Sequence, residues 1–221
     1  MTSSYGKISA SVITAAVALV CGVGVASAGN ILNNPGFESA PTTPPTANDW
    51  QYNGGAKWDT TNPYTGSAEA NLNNTAEANN ANVSQQTATG TITPGVNYTF
   101  SFYSEFTGVG AGFLGQAQLT FLTSAAAPVG PNTFVNFPTT TSGFGTQAGY
   151  QLSSVNVVAP AGASEAYVNL GAITGAVAGS SAHAYVDNVT LAPVSTPEPA
   201  SLALLAIGGV AMLALRRRRA A

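Results

Sequence analysis

Eight carboxylates and one cation carry the side-chain charge between Gly29 and Pro193: Glu38, Asp49, Asp59, Glu69, Glu77, Glu105, Glu165 and Asp187 against Lys57. Glycoside hydrolysis needs only two carboxylates, but no motif pairs any two of these. Only one histidine, His183, could serve a catalytic triad, and neither Gly-x-Ser-x-Gly nor His-Glu-x-x-His occurs. The residues therefore argue against an enzyme. Sugar binding asks for less: an aromatic ring for the apolar face of a sugar, with amides, hydroxyls or a carboxylate around its polar rim. Tyr103 and Glu105 fall on one face of a single alternating segment, and Trp58 is a further candidate. Tyr52, Tyr64, Tyr150 and Tyr167 lie within reach of the same role, whereas Trp50 reads as core. One histidine and one cysteine leave little for a transition-metal site.

The elements that must hold these residues read as strands. Short alternating runs broken by Gly, Pro and Asn predict an all-β sandwich. In Asn97–Glu105, Tyr98, Phe100 and Phe102 point one way and Thr99, Ser101, Tyr103 and Glu105 the other. Pro94-Gly95 supplies the preceding turn. Further strands are predicted over 83–92, 116–122, 155–158, 165–170 and 184–191. Burying both Val186 and Val189 requires a bulge near Asp187-Asn188. Segments 41–48, 125–138 and 139–149 read as loops, and 108–115 as a glycine-rich turn.

Composition excludes several partners. Charged residues are 7% of the chain, against about 25% in an average domain. A segment with one lysine and no arginine lacks the footprint of a nucleic-acid binder. Amides and hydroxyls take the place of charge on its surface.

Both ends read as addresses. Lys7 precedes an uncharged stretch, 8–25, and Ala26-Ser27-Ala28 is a small-x-small site, so residues 1–28 read as a signal peptide cut by signal peptidase after Ala28. Cleavage there removes Cys21 and leaves no thiol. A lipoprotein reading at Cys21 is the alternative, with Val20 standing where a small residue is wanted. At the other end, Pro197, Glu198 and Pro199 favour an extended, graspable peptide. Residues 200–215 carry no charge, and sixteen helical residues rise about 24 Å against a hydrocarbon core of about 30 Å. Arg216, Arg217, Arg218 and Arg219 then hold the C-terminus in the cytoplasm. A buried core helix with a basic tail is the alternative. The three-part order resembles the PEP-CTERM sorting signal (194–221, motif 195–201). That resemblance implies processing by an exosortase-type membrane protease, transient anchoring in the inner membrane, and release to the cell surface or extracellular matrix.

Between the two signals, residues 29–193 resemble the jelly-roll carbohydrate-binding modules of the family 4/9 type, with a galactose-binding-like fold. The resemblance rests on Asn33-Asn34-Pro35-Gly36-Phe37-Glu38, 64–72, Val83-Ser84-Gln85-Gln86, 93–100 and Tyr185-Val186-Asp187-Asn188-Val189-Thr190-Leu191 in that order. It implies a β-sandwich flanked by a signal helix and a sorting helix. It also implies a structural calcium at Glu38 and Asp187, the alternative being that both carboxylates hydrogen-bond backbone amides at a sheet edge. The expected function is a non-catalytic surface protein that binds polysaccharide. The alternatives are a purely structural or adhesive protein, an ice-binding protein, or an extracellular glycoside hydrolase.

Overall fold

Strand β5 (Asn97–Val109) organises the fold. Its alternation puts Tyr98, Phe100, Phe102 and Phe106 inside, where Phe102 meets Phe137 at 5.2 Å and Phe106 meets Phe113 at 5.8 Å between ring centroids. Burying each phenylalanine contributes about 1.5–3 kcal/mol. The computed structural model describes residues 29–42, 49–75, 79–176 and 178–194, all within the unit Gly29–Val194. The signal-peptide site at Ala28, the motif at Pro197, Glu198 and Pro199, the apolar run and Arg216–Arg219 lie outside the described residues, as does most of the 41–48 loop.

The other strands are β1 (Gln51–Asn53), β2 (Ala56–Asp59), β3 (Glu69–Asn74), β4 (Asn80–Gln86), β6 (Leu114–Leu122), β7 (Thr133–Asn136), β8 (Gln151–Val158), β9 (Glu165–Ile173) and β10 (Ser181–Pro193). They form two five-stranded sheets, β1-β4-β9-β6-β7 and β2-β3-β10-β5-β8. Every pairing is antiparallel. The inner faces supply one shared core, including Leu72, Val83, Phe100, Leu119, Val168, Leu170, Val186 and Leu191. This is the expected all-β sandwich. The β1–β3 strands and β7 are additions to the strands read from the sequence; the first three are short or polar, and β7 sits inside a stretch read as loop.

The expected bulge is present in β10. The register shifts between Asp187 and Thr190, and Asn188 takes a positive φ of 50°. That extra residue lets Val186 and Val189 both face the core, while Asp187 keeps the outer face that alternation gives it with His183 and Tyr185. A bulge leaves backbone groups without a ladder partner. Here the N-terminal segment supplies them: Val189 N–H donates to Pro35 O at 2.9 Å, and Asn30 Nδ2 donates to Val189 O at 2.8 Å. Gln85 grips the same segment, accepting from Asn33 N–H and donating to Asn33 O, each at 2.9 Å.

Phe102→Ala should cost about 3–5 kcal/mol, read from the midpoint of chemical denaturation.

Candidate functional site

The N-terminal segment is a hook held by both tryptophans. Trp50 Nε1 donates to Asn34 O at 2.9 Å and Trp58 Nε1 to Phe37 O at 2.6 Å. Trp50 is buried, as expected of a core residue, and Trp58 is half-buried against the core with its indole N–H already used. The hook carries Glu38 to Asp187. Glu38 Oε2 accepts from Ser67 N–H (2.9 Å) and Oγ (2.8 Å). Asp187 Oδ2 accepts from Thr65 N–H (3.0 Å), and Oδ1 from Asn188 N–H (2.6 Å). Both carboxylates thus hold backbone amides, as the alternative reading has it. They also leave a cradle. A Cβ placed on Gly36 would stand 3.2 Å from Asn188 Oδ1 and 3.7 Å from both Asp187 Oδ1 and Glu38 Oε1. Three oxygens from three residues converge on that one point. Burial pushes the Asp187 carboxyl up to about 6; the Thr65 and Asn188 amides oppose the rise and the Glu38 charge adds to it.

The outer face of the β2-β3-β10-β5-β8 sheet holds the other sequence-predicted residues. Register aligns Tyr103 with Asp187 and Glu105 with Tyr185. Tyr103 and Glu105 share the face that the alternation assigns them, but the face is roofed. Segment 139–150 leaves β7, ties to β5 through Thr140 N–H to Phe106 O (2.7 Å) and Phe106 N–H to Thr140 Oγ1 (3.0 Å), and crosses the sheet. Gly145 N–H donates to Glu105 Oε2 at 2.7 Å. A Cβ on Gly149 would come within 2.7 Å of Glu105 Oε1, so only glycine lets the roof lie this low. Glu105 is consequently 0% exposed. Tyr64 stacks on Tyr103 at 3.9 Å and 17°, and Phe144 covers His183 and Tyr185 at 5.1 and 5.5 Å. Tyr150 Oη donates to Asn62 O at 2.8 Å, closing the roof against the 59–67 loop. Sequence alternation assigns a face to each residue but carries no sign of a segment 40 positions on that covers it.

The outer face of the β1-β4-β9-β6-β7 sheet is built of amides. One row across it reads Asn53, Asn82, Gly171, Gln116, Asn136; the next reads Gln51, Ser84, Asn169, Gln118, Phe134; a third sets Gln86, Tyr167 and Thr120 together. Phe134 is 54% exposed and Tyr167 half-buried. The place a side chain would take at Gly171 in the first row is filled by Asn80, whose Oδ1 would stand 3.0 Å from a Cβ there. Asn80, Asn82 and Asn169 each hold a buried Oδ1 with no hydrogen-bond partner. Unpaired buried acceptors of this kind cost roughly 1–3 kcal/mol each, and these three are enclosed by their neighbours rather than open to solvent. Sequence reading reached only Tyr167 of this face, because the amides stand at alternate positions in five separate strands and converge only through the register.

Two stretches of the chain match known families. Residues 29–123 match the carbohydrate binding domain family of the 4/9 type. Residues 195–219 match the PEP-CTERM protein-sorting motif. The first match contains the hook and Glu38 and ends just after β6; β7–β10, with Asp187, complete the sandwich beyond it. No curated protein matches the chain. Among solved structures, the enzymatically active domain of bacteriophage CBA120 tailspike protein 4 is similar at 16% identity and TM-score 0.54, over 75% of this chain and 21% of that one. TmCBM61 in complex with beta-1,4-galactotriose is similar at 16% identity and TM-score 0.50, over 75% of this chain and 99% of that one. This chain thus spans about a fifth of the tailspike chain and nearly all of the module. At this identity the likeness is one of fold: a carbohydrate-binding-module jelly roll.

Because its pKa is raised from 3.8 to about 6, Asp187 keeps its proton in the native state at pH values where the unfolded chain has lost it. Its contribution to stability is present at low pH and is lost as pH rises through about 6. In chelator, the stability of Asp187→Asn relative to wild type should therefore improve from pH 4 to pH 7.5, by up to about 3 kcal/mol. Urea denaturation at the two pH values measures it; a pH-independent difference contradicts the assignment.

Proposed function

We propose that this chain is an exported, non-catalytic surface protein that binds polysaccharide across the amide face of the β1-β4-β9-β6-β7 sheet. One observation carries the reading: side-chain amides from β1, β4, β9, β6 and β7 stand in adjacent rows on this face, with Tyr167 and the exposed Phe134 among them. Sugar hydroxyls pair with side-chain amides as donors and acceptors, and a ring's apolar face suits an aromatic edge. The opposite face, with Tyr103 and Glu105, is closed by its roof, and Trp58 spends its N–H on the hook. The family match over 29–123 and the module-like fold support carbohydrate as the ligand class.

The motif match supports delivery to the surface. In this reading signal peptidase cuts after Ala28. The 200–215 helix, stopped by Arg216–Arg219, holds the chain in the inner membrane until an exosortase-type protease cuts near Pro197-Glu198-Pro199. Replacing Arg216–Arg219 by alanine should leave the protein mis-sorted and its tail uncut, seen by mass spectrometry of the released chain.

For polysaccharide, affinity electrophoresis and a glycan array on the secreted protein give the test. Tyr167→Ala should weaken binding roughly tenfold, and Tyr103→Ala should leave it unchanged. The reverse pattern would move the site to the roofed face. No glycan bound at all would leave the structural or adhesive reading.

The cradle at Gly36 fits a calcium ion. Carboxylate and amide oxygens are its preferred donors, and Glu38, Asp187 and Asn188 present one oxygen each to the same point. The ion would offset the Glu38–Asp187 repulsion and fix the hook on β10. Calcium should raise the Tm of the wild type and fail to raise that of Gly36→Ala, whose methyl group occupies the cradle. A wild-type Tm indifferent to calcium and chelator would leave the two carboxylates as amide acceptors alone.

A further inference from the structure

Three of the four sheet edges are short or guarded. β1 has 3 residues; β2 has 4 and carries Lys57 and Asp59; β7 has 4 and stands between Pro131 and Pro138. Lysines, prolines and short length are the usual protection against edge-to-edge pairing. β8 has 8 residues, Gln-Leu-Ser-Ser-Val-Asn-Val-Val, and none of these guards. From Phe106 to Ser164 the chain has no charged residue and no histidine. Leu152 and Val158 are exposed by 56% and 60%.

The backbone groups at this edge can be assigned. Ala159 N–H donates to Val96 O at 2.9 Å, so Ala159 points its N–H towards β5. Asn97, paired with Val158, gives its carbonyl to Val194 N–H on the opposite side, at 2.8 Å. In an antiparallel ladder the bonded residues alternate. Gln151, Ser153, Val155 and Val157 therefore bond to β5, while Leu152, Ser154, Asn156 and Val158 direct N–H and C=O outward. The side chains of those four are all exposed.

We propose that β8 is the edge through which two copies of this chain join, antiparallel, about a twofold axis at Val155. That register sets Leu152 against the partner's Val158 and Ser154 against the partner's Asn156, each twice. It uses all four outward residues, whereas a shift of two positions strands some of them. Each pair exchanges two bonds, giving about eight new hydrogen bonds. The exposed apolar side chains cover one another at both ends, and the serine and asparagine pair in the middle. No like charges meet there, although the chain as a whole carries a net charge of −3. The two β2-β3-β10-β5-β8 sheets become one continuous sheet.

The twofold axis sets Val155 opposite the partner's Val155 as a non-bonded pair with Cα atoms about 4.5 Å apart, inside the disulfide range of about 4.4–6.8 Å. In the full chain with Cys21→Ser, Val155→Cys should give a disulfide-linked dimer under mild oxidation. Val157→Cys, which faces the partner's Ser153, should stay monomeric on a non-reducing gel; it shares the same tail and so controls for association through it. Ser154→Lys with Asn156→Lys sets lysine against lysine and should lower the association constant by about tenfold or more in sedimentation equilibrium. Equal cross-linking at both cysteines, no cross-link at Val155→Cys, or unchanged association of the lysine variant would each overturn the proposal.

Discussion

The one extra residue in β10 sets the terms for much of this structure. Without the left-handed step at Asn188, the alternation after Val186 would send Val189 and Leu191 out of the core. With it, both are buried, and Asp187 is left facing outward at the bulge. The bulge also releases an N–H and a carbonyl, each costing roughly 1–3 kcal/mol if left unpaired. Pro35 and Asn30 answer them. The N-terminal segment is therefore the missing partner of an irregular central strand, and Glu38 meets Asp187 because that segment must dock there.

This dependence explains how the sequence could be read. Val186 and Val189 at odd spacing require a bulge, and β5 advertises its two faces through Tyr98, Phe100 and Phe102. Such features are local, and they were legible. Trp50 also reads correctly as core, since an indole can be buried if its N–H finds a carbonyl. The fate of Glu105 was not legible. Its face follows from alternation, but its burial depends on Gly145 and Gly149, forty positions away and themselves uninformative as glycines in a loop. The amide face was hidden for another reason. Asn and Gln are scattered throughout the chain, and only strand order brings Asn82, Asn169 and Gln116 into neighbouring rows.

The two outer faces solve the same problem in opposite ways. On one, a roof with tyrosines and a phenylalanine closes over Glu69, Glu105 and Asp187 and takes them out of water, a desolvation that backbone amides offset only in part. Burial raises the pKa of each. On the other, neutral amides tolerate water and pair with one another only in part. Low charge makes the second solution possible, because amide rows assembled from neighbouring strands do not repel one another as carboxylates would.

Strand β10 also has a mechanical meaning. It is the 13-residue strand that leads directly into the C-terminal tail, and it lies third of five in its sheet, between β3 and β5. A pull on that tail runs along the strand axis and loads two hydrogen-bond ladders at once. Ile31 N–H adds a further tie to Leu191 O at 2.9 Å. Strands at a sheet edge can be peeled one bond at a time; a central strand pulled lengthwise must shear many together. A load applied through the C-terminus therefore falls on a strand held from both sides.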